Sequence, residues 1–418
     1  MVRFKFCVVY FTLYAVATQL LGGVLLLPGF QLPALGNVWP MRDVTLWIAE
    51  HVVGLTPPLR YTGNSGDTAF HWIQTASLLL VAIAVTAIWW ARDKADHPRL
   101  RKWFRVFIRF ALAAQMFYYG MAKIIPTQFP PPGLVTLIEP VGSASLSDLL
   151  WTFIGASTPY QVITGCAEML AGVLLLTPQT TMLGALIGFV DMLQVFLLNM
   201  TYDFGLKQIS FHLLLMFAFL LAQDARRLAN VLVLNRRAEP SSERPLFATA
   251  RANRIALIAQ LAFGVYLIAM FTSLSTRYFY AAGGPGAPRS PLYGIWNIEQ
   301  MSVDEEIRPS VSNDYDRRWR RVIFDAPDVV VFQRTDDSLA HYGASLAEDG
   351  RTLALSKRNS PTWSARFTVE RASPTRMTLA GEMDHYKIRL QLQLVELDTF
   401  RLLRSTFRWV RPPDPFAG

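Results

Sequence analysis

Seven apolar runs, separated by polar or basic segments, fill the first two thirds of the chain, near residues 6–27, 71–91, 105–125, 161–177, 181–199, 208–222 and 254–275. A helix needs about 20 such residues to cross the hydrocarbon core of a bilayer. The pattern therefore predicts an α-helical integral membrane bundle of about seven spans over residues 1–280. The fourth and fifth runs are joined only by "PQTT" and are expected as a tight hairpin. In the first run "AVA" at 15–17 resembles a signal-peptide cleavage site, but the apolar stretch continues to Leu27, so a retained span is expected.

After "AAGGPGAPRSP" at 281–291, a Gly/Pro linker, the period shortens to two. "LYGIWNIEQMSV", "RRVIFDA", "DVVVFQR", "TLALSK", "SARFTVE", "RMTLAGE", "YKIRLQLQLVEL" and "FRLLRSTFRWV" alternate or run β-branched between Asp, Gly, Ser and Pro. About eight strands over 292–418 suffice for a closed antiparallel barrel, with a sandwich as the other solution. The "EDG" at 348–350 marks a hairpin turn. His341, Tyr342 and His385 are expected on the surface or in turns.

Charge orients the bundle. The chain carries a net +9, but from Pro288 onward 19 Lys and Arg face 18 Asp and Glu, so the excess belongs to the apolar part. No clustered basic face points to nucleic acid. "ARDKADHPRLRKWFR" holds six basic residues and the segment 223–254 seven, whereas 126–160 has none. Retention of positive loops in the cytoplasm then places the N-terminus inside and both 126–160 and the β domain outside a bacterial-type inner membrane. In the long 28–69 loop, "RDVTLWIAEHVVGL" has helical spacing and is expected to lie on the outer leaflet.

Ionisable groups within spans are costly in lipid and face the bundle interior. Gln115, Tyr119 and Lys123 recur every four residues on the third run, with Lys123 near its outer end. Glu168 on the fourth run, Asp191 on the fifth and His212 on the sixth fall in the same outer half. Each has a structural reading as well: a lysine reaching for headgroups, or a polar contact between helices. Their shared depth makes a polar intramembrane pocket the functional expectation. Within it a Lys123–Glu168 pair would anchor the site, while Tyr119 and His212 could donate to a quinone carbonyl or a lipid headgroup. The two cysteines, Cys7 and Cys166, form no CxxC or zinc spacing, and no catalytic motif, metal site or intrinsic cofactor is evident.

"FYYGMAKII", "GCAEMLAGVLLLTP" and "LLLMFAFLLAQDARRL" together resemble the DoxX-like family of small membrane proteins over roughly 105–230. The resemblance implies a four-helix membrane core, with Lys123 and Glu168 at the matching positions. In some members it also implies a subunit role in quinone-linked redox complexes. "GIW" at 294–296, with Arg404 or Arg408 on the last strand, resembles the lipocalin-like barrel. That likeness implies that Trp296 packs under a late arginine as a structural closure. The membrane module of vitamin K-dependent carboxylases is similar only in joining a bundle to an outer β domain. Two functions stand at this level. One is an accessory subunit of a membrane redox system that binds quinone; the other is a non-catalytic module whose barrel binds a lipid or a partner protein.

Overall fold

The computed structural model describes residues 1–59, 61, 66–239, 245–281, 283–309, 318–404 and 409–410. They divide into two units, one of residues 1–129 and 158–278, the other of residues 130–157 and 279 onward.

The first unit is helical: α1 (Val2–Ala17), α2 (Gln19–Val24), α3 (Met41–His51), α4 (Ala69–Arg92), α5 (Pro98–Ile124), then α7 (Thr158–Leu175), α8 (Thr181–Thr201), α9 (Lys207–Ala222), α10 (Ala225–Leu232) and α11 (Ala250–Tyr280); α6 (Leu146–Gly155) belongs to the second unit. Seven spans are not what length and composition support. Among the described residues three helices, α4, α8 and α11, are long and apolar enough to cross a membrane, and α9 with α10, bent by 82°, is a fourth if counted as one. The reason lies in the other runs. The first breaks where Thr18 turns extended, leaving helices of 16 and 6 residues. The third, α5, is 27 residues long but carries Arg105, Arg109 and Lys123, all buried. The fourth, α7, buries Gln161 and Glu168.

Helix α5 is the centre of this unit: from Phe110 to Phe117 every residue is buried. It packs against α2, α7 and α9, while α8 packs on α7 and α9. Asp67, just before α4, caps α9 from a distance, accepting from the backbone N–H of Lys207 at 2.6 Å and Gln208 at 2.9 Å. A carboxylate there satisfies orphan donors and complements the helix dipole. The expected surface helix is α3, which leaves Val44 and Trp47 exposed.

The second unit is an eight-stranded antiparallel barrel. Strand β1 (Gly294–Val303) is met at its end by a short antiparallel β2 (Glu306–Arg308) that folds back on it, followed by β3 (Trp319–Ala326), β4 (Val329–Arg334), β5 (Leu339–Leu346), β6 (Thr352–Lys357), β7 (Ser360–Ser373), β8 (Arg376–Met383) and β9 (Tyr386–Leu394). Each of β3 to β8 pairs with the next, β1 pairs with β3, and β9 returns to β1, with Trp296 opposite Leu394. The interior is filled by Trp296, Phe332, Phe367, Leu379 and Leu390, none more than 1% exposed, among others. Eight strands leave room for little beyond such side chains.

Outside the barrel, Ile295, Ile323 and Val331 lie in register across β1, β3 and β4 and are buried. Leu134, Val135, Leu137 and Ile138 cover them. The segment without Lys or Arg, read as a plain loop, is therefore part of the β unit, because it shields an outward apolar row. It also contains α6, whose Ser145–Asp148 capping box fixes its start.

The last predicted strand is replaced. After β9 the chain turns into a 3-10 segment (Leu397–Thr399) and a helical turn, α12 (Arg401–Arg404), so Arg404 is exposed and on no strand. Arg408 lies outside the described residues. Trp296 donates its Nε1–H to Leu292 O at 2.9 Å, and the cation over its ring, at 5.9 Å, is Arg371 of β7. Gly350, at φ +67, makes the hairpin turn between β5 and β6. His341 is exposed, His385 sits in a turn at φ +69, and Tyr342 stacks on Trp363.

Candidate functional site

Helices α5 and α7 meet backbone to backbone. A Cβ on Gly120 would lie 2.9 Å from Gly165 O, and one on Gly165 would lie 2.7 Å from Gly120 O. Such small residues let membrane helices approach closely. The buried face of α7 continues through Gln161, Gly165, Glu168, Gly172 and Leu175. Lys123, 8% exposed, forms an ion pair with Oε1 of Glu168, 1% exposed. Lys123 thus turns inward to α7. Above it the chain folds over: Phe129 is buried and its N–H donates to Gln161 Oε1 at 3.0 Å. Asp191 on α8 lies within electrostatic reach of both members of the pair. Glu168 Oε2 and Asp191 Oδ2 are buried without a hydrogen-bond partner among the described residues.

Gln115 and Tyr119 hydrogen-bond elsewhere, although Tyr119 stays within electrostatic reach of Glu168. Steps of four residues drift by about 40° each around a helix, so Gln115 and Lys123 stand about 80° apart and meet different neighbours. Gln19 of α2 donates to Gln115 Oε1 at 2.9 Å and to the Tyr119 hydroxyl at 2.8 Å.

His212 forms a third cluster, with α1. Its Nδ1 lies 2.7 Å from Gln208 O, its Nε2 lies 2.7 Å from the Tyr10 hydroxyl, and Tyr14 stacks on its ring at 3.7 Å. A carbonyl can only accept, so Nδ1 carries a hydrogen and a neutral ring takes the Tyr10 proton at Nε2. The six residues expected to share one pocket therefore fall into three clusters: Lys123–Glu168 with Asp191 nearby, Gln19–Gln115–Tyr119, and Tyr10–His212–Tyr14.

Tyr10 and His212 of the third cluster border a large cavity. A groove of about 960 Å³ runs beside α9 from Lys207 to Gln223, about 24 Å at 1.5 Å per residue. Its walls are aromatic, with Phe4, Phe11, Trp72, Phe196, Phe211 and Phe219 among them, and Tyr10 and His212 supply polar atoms along it. At its α9 start Gln208 and Thr75 also border a polar cavity of about 110 Å³ lined by Tyr14, Gln19, Asp67 and His71. There Gln208 Oε1 accepts from Thr75 at 2.7 Å, while its Nε2 is buried without a hydrogen-bond partner among the described residues.

Sequence reasoning missed Tyr10, Tyr14 and Gln19, because neutral polar residues in an apolar run carry no charge signal. It also read several basic residues only as topology markers. Lys5 is 1% exposed, pairs with Asp93 at 3.5 Å and lies 4.8 Å over Trp89. Arg105 reaches Asp224 at 3.5 Å, and Arg109 donates to Leu175 O at 2.8 Å. These ties join the start of α1 to the end of α4, and the first half of α5 to the ends of α9 and α7. The backbone N–H of Ala95, then His97, Trp89 and Lys5, hold the Asp93 carboxyl well below the usual range. Among the described residues no group of three His, Cys, Asp or Glu is placed to hold a metal ion, and Cys7 and Cys166 are free thiols.

No family model matches the chain, and no solved structure matches it. It is 36% identical over 138 residues to the uncharacterised protein YwoB of Bacillus subtilis, a match covering 33% of this chain and 85% of YwoB.

Proposed function

Since the chain belongs to the family of YwoB, whose name carries no activity, we propose from its own geometry that it is an integral membrane protein that binds an isoprenoid quinone in the groove beside α9. In this reading its helical core is DoxX-like, and the protein serves as an accessory subunit of a membrane redox complex. The observation that carries the proposal is the aromatic groove of about 960 Å³ with the Tyr10–His212 pair on its wall. At about 24 Å it exceeds one leaflet of a core about 30 Å thick, which suits a long isoprenoid chain. A quinol hydroxyl set against Tyr10 would donate to the tyrosine oxygen, whose own proton is held by Nε2 of neutral His212, so the pair would bind and orient the ring.

Lys123 and Glu168 then act as the tie that holds α7 on α5, not as the ligand's contacts. The proposed orientation keeps the N-terminus cytoplasmic and the barrel extracytoplasmic. It is supported by the basic residues Lys5, Arg105 and Arg109 in the first halves of α1 and α5, and by the packing of 130–157 with the barrel in one unit. One packed unit lies on one side of a bilayer, so an even number of crossings separates Thr158 from Tyr278. A lipid inside the barrel is the weaker reading, because side chains fill its interior.

The test is mass spectrometry of small molecules extracted from the purified chain. Wild type should retain an isoprenoid quinone that Tyr10→Phe combined with His212→Ala loses. Retention of bulk phospholipid alone by both proteins would sink the proposal.

A further inference from the structure

Helix α10 leaves α9 at 82° and carries its polar and apolar residues on opposite sides. At about 100° per residue, Leu228, Val231 and Leu232 share one stripe with Ala225 and Ala229, while Arg226, Arg227 and Asn230 take the other side. None of these residues is buried, and Val231 and Leu232 are 57% and 64% exposed. The apolar surface continues in Val233 and Leu234, and Arg226, Arg236 and Arg237 are exposed around it. Retention of positive loops needs only the arginines. It does not call for an apolar stripe beside them.

The level of α10 follows from its own unit, which holds α8, α9 and α10 together. Helix α8 is 21 residues long and apolar enough to cross a membrane. Helix α9 runs back along it: Asn199 donates its Nδ2–H to Ser210 Oγ at 3.1 Å near the turn, and Gly188 is set against the Phe217 ring farther along. The end of α9 at Ala222 therefore lies level with the first turns of α8, at one edge of the hydrocarbon core. Three Cα steps, at most about 11 Å, lead from there to Ala225. A helix that turns by 82° at that level lies close to the plane of the bilayer.

We infer that α10 is a membrane-surface helix for anionic lipid. Its Leu228–Val231–Leu232 stripe, with Val233 and Leu234, seats in the headgroup–acyl boundary, and Arg226, Arg236 and Arg237 meet acidic headgroups. Charge complementarity selects that occupant. Two carboxylates lie in 223–239, Asp224 and Glu239, and Asp224 is buried against Arg105 and Arg227. An apolar stripe bordered by arginines is the pattern that takes an interfacial helix to anionic membranes. In the proposed orientation this leaflet is the cytoplasmic one. The inference rests on the chain crossing a bilayer and not on quinone binding.

The test uses the full chain in lipid nanodiscs, with Cys7→Ser and Cys166→Ser removing the native thiols. An environment-sensitive fluorophore is placed at Leu232→Cys or, as comparison, at Asn230→Cys on the polar side. In discs containing phosphatidylglycerol, position 232 should emit to the blue and be quenched by spin-labelled acyl chains, not by aqueous acrylamide, with the reverse at 230. Each arginine near an anionic leaflet favours docking by about fivefold. Discs of phosphatidylcholine alone, or Arg226→Gln with Arg236→Gln and Arg237→Gln in anionic discs, should therefore weaken docking by about a hundredfold and let acrylamide reach 232. Acrylamide quenching of 232 in anionic discs would overturn the inference. So would shielding of 232 from both quenchers, since protein would then cover the stripe, or equal shielding in both kinds of disc, since lipid charge would then play no part. Val231→Cys gives the same reading where Leu232→Cys does not fold. A fluorophore at Leu193→Cys on α8, 38% exposed, should be quenched by acyl chains in every disc. Its failure would overturn the crossing on which the inference stands.

Discussion

Removing either partner of the Lys123–Glu168 pair should destabilise the helical unit far more than removing both. Glu168 is 1% exposed and Lys123 is 8% exposed. The Gly120–Gly165 contact leaves α5 and α7 no room to part, and Phe129 and Gln161 close the approach above. Glu168→Gln leaves an ammonium in that space without its ion-pair partner, with only the Asp191 carboxyl of α8 within electrostatic reach, and Lys123→Met leaves a carboxylate there. Breaking a buried pair in this way costs about 3–5 kcal/mol. The double variant Lys123→Met/Glu168→Leu replaces both charges with apolar groups of similar size, a change that is often neutral or stabilising by about 1–4 kcal/mol. The two effects therefore should not add, and a double-mutant cycle should give a coupling of at least about 3 kcal/mol. The assay is equilibrium unfolding in mixed micelles, followed by far-UV circular dichroism. A lysine that merely reaches for headgroups predicts single-variant losses below about 1 kcal/mol and no coupling. With that outcome Lys123 and Glu168 would not form a buried pair that holds α7 on α5.

Three other outcomes follow from the packing. Gly165→Ala should lower the stability of the helical unit by about 1–3 kcal/mol, because its Cβ meets Gly120 O at 2.7 Å; the same micelle unfolding reads it. Trp296→Ala should cost about 3–5 kcal/mol in the barrel, raising hydrogen exchange in β1, β3 and β9 peptides of the intact chain, whereas Arg404→Ala, at an exposed site on α12, should leave exchange unchanged. The folded-state pKa of Asp93 is depressed, so its contribution is present above the unfolded value of about 3.9 and is lost as pH falls below it. Asp93→Asn should thus lower Tm at pH 7, and the gap to wild type should close on acidification below about pH 4.

The apolar runs that became α4, α8 and α11 were legible because length and composition suffice for a helix with a lipid-compatible surface. Helices α5 and α7 were legible as helices but not as interior ones, since Arg105, Arg109 and Glu168 find their partners on other elements. Depth alone brought Lys123 and Glu168 together. It could not separate His212 from them, because azimuth around the bundle depends on helix packing that no single run encodes. Tyr10 and Gln19 carried no signal at all. In the β unit the period of two announced seven of the eight barrel strands; β5 (Leu339–Leu346) was missed, and the expected number of eight was reached by counting 400–410, whose residues 401–404 are helical. Arg371 was hidden because a cation at an alternating strand position reads as a solvated one. The segment 134–138 was missed because its apolar residues answer an outward row, Ile295, Ile323 and Val331, that alternation marks as facing solvent.

The central claim is that the groove beside α9 takes the isoprenoid chain. Its most direct test is photo-crosslinking with an azido-quinone analogue in the full chain, with labelled peptides mapped by mass spectrometry. Saturable labelling of residues 4–11 and 207–219 is expected, competed by unlabelled quinone and lost with Tyr10→Phe combined with His212→Ala. Labelling centred on Lys123 and Glu168, or labelling that never saturates, would contradict it.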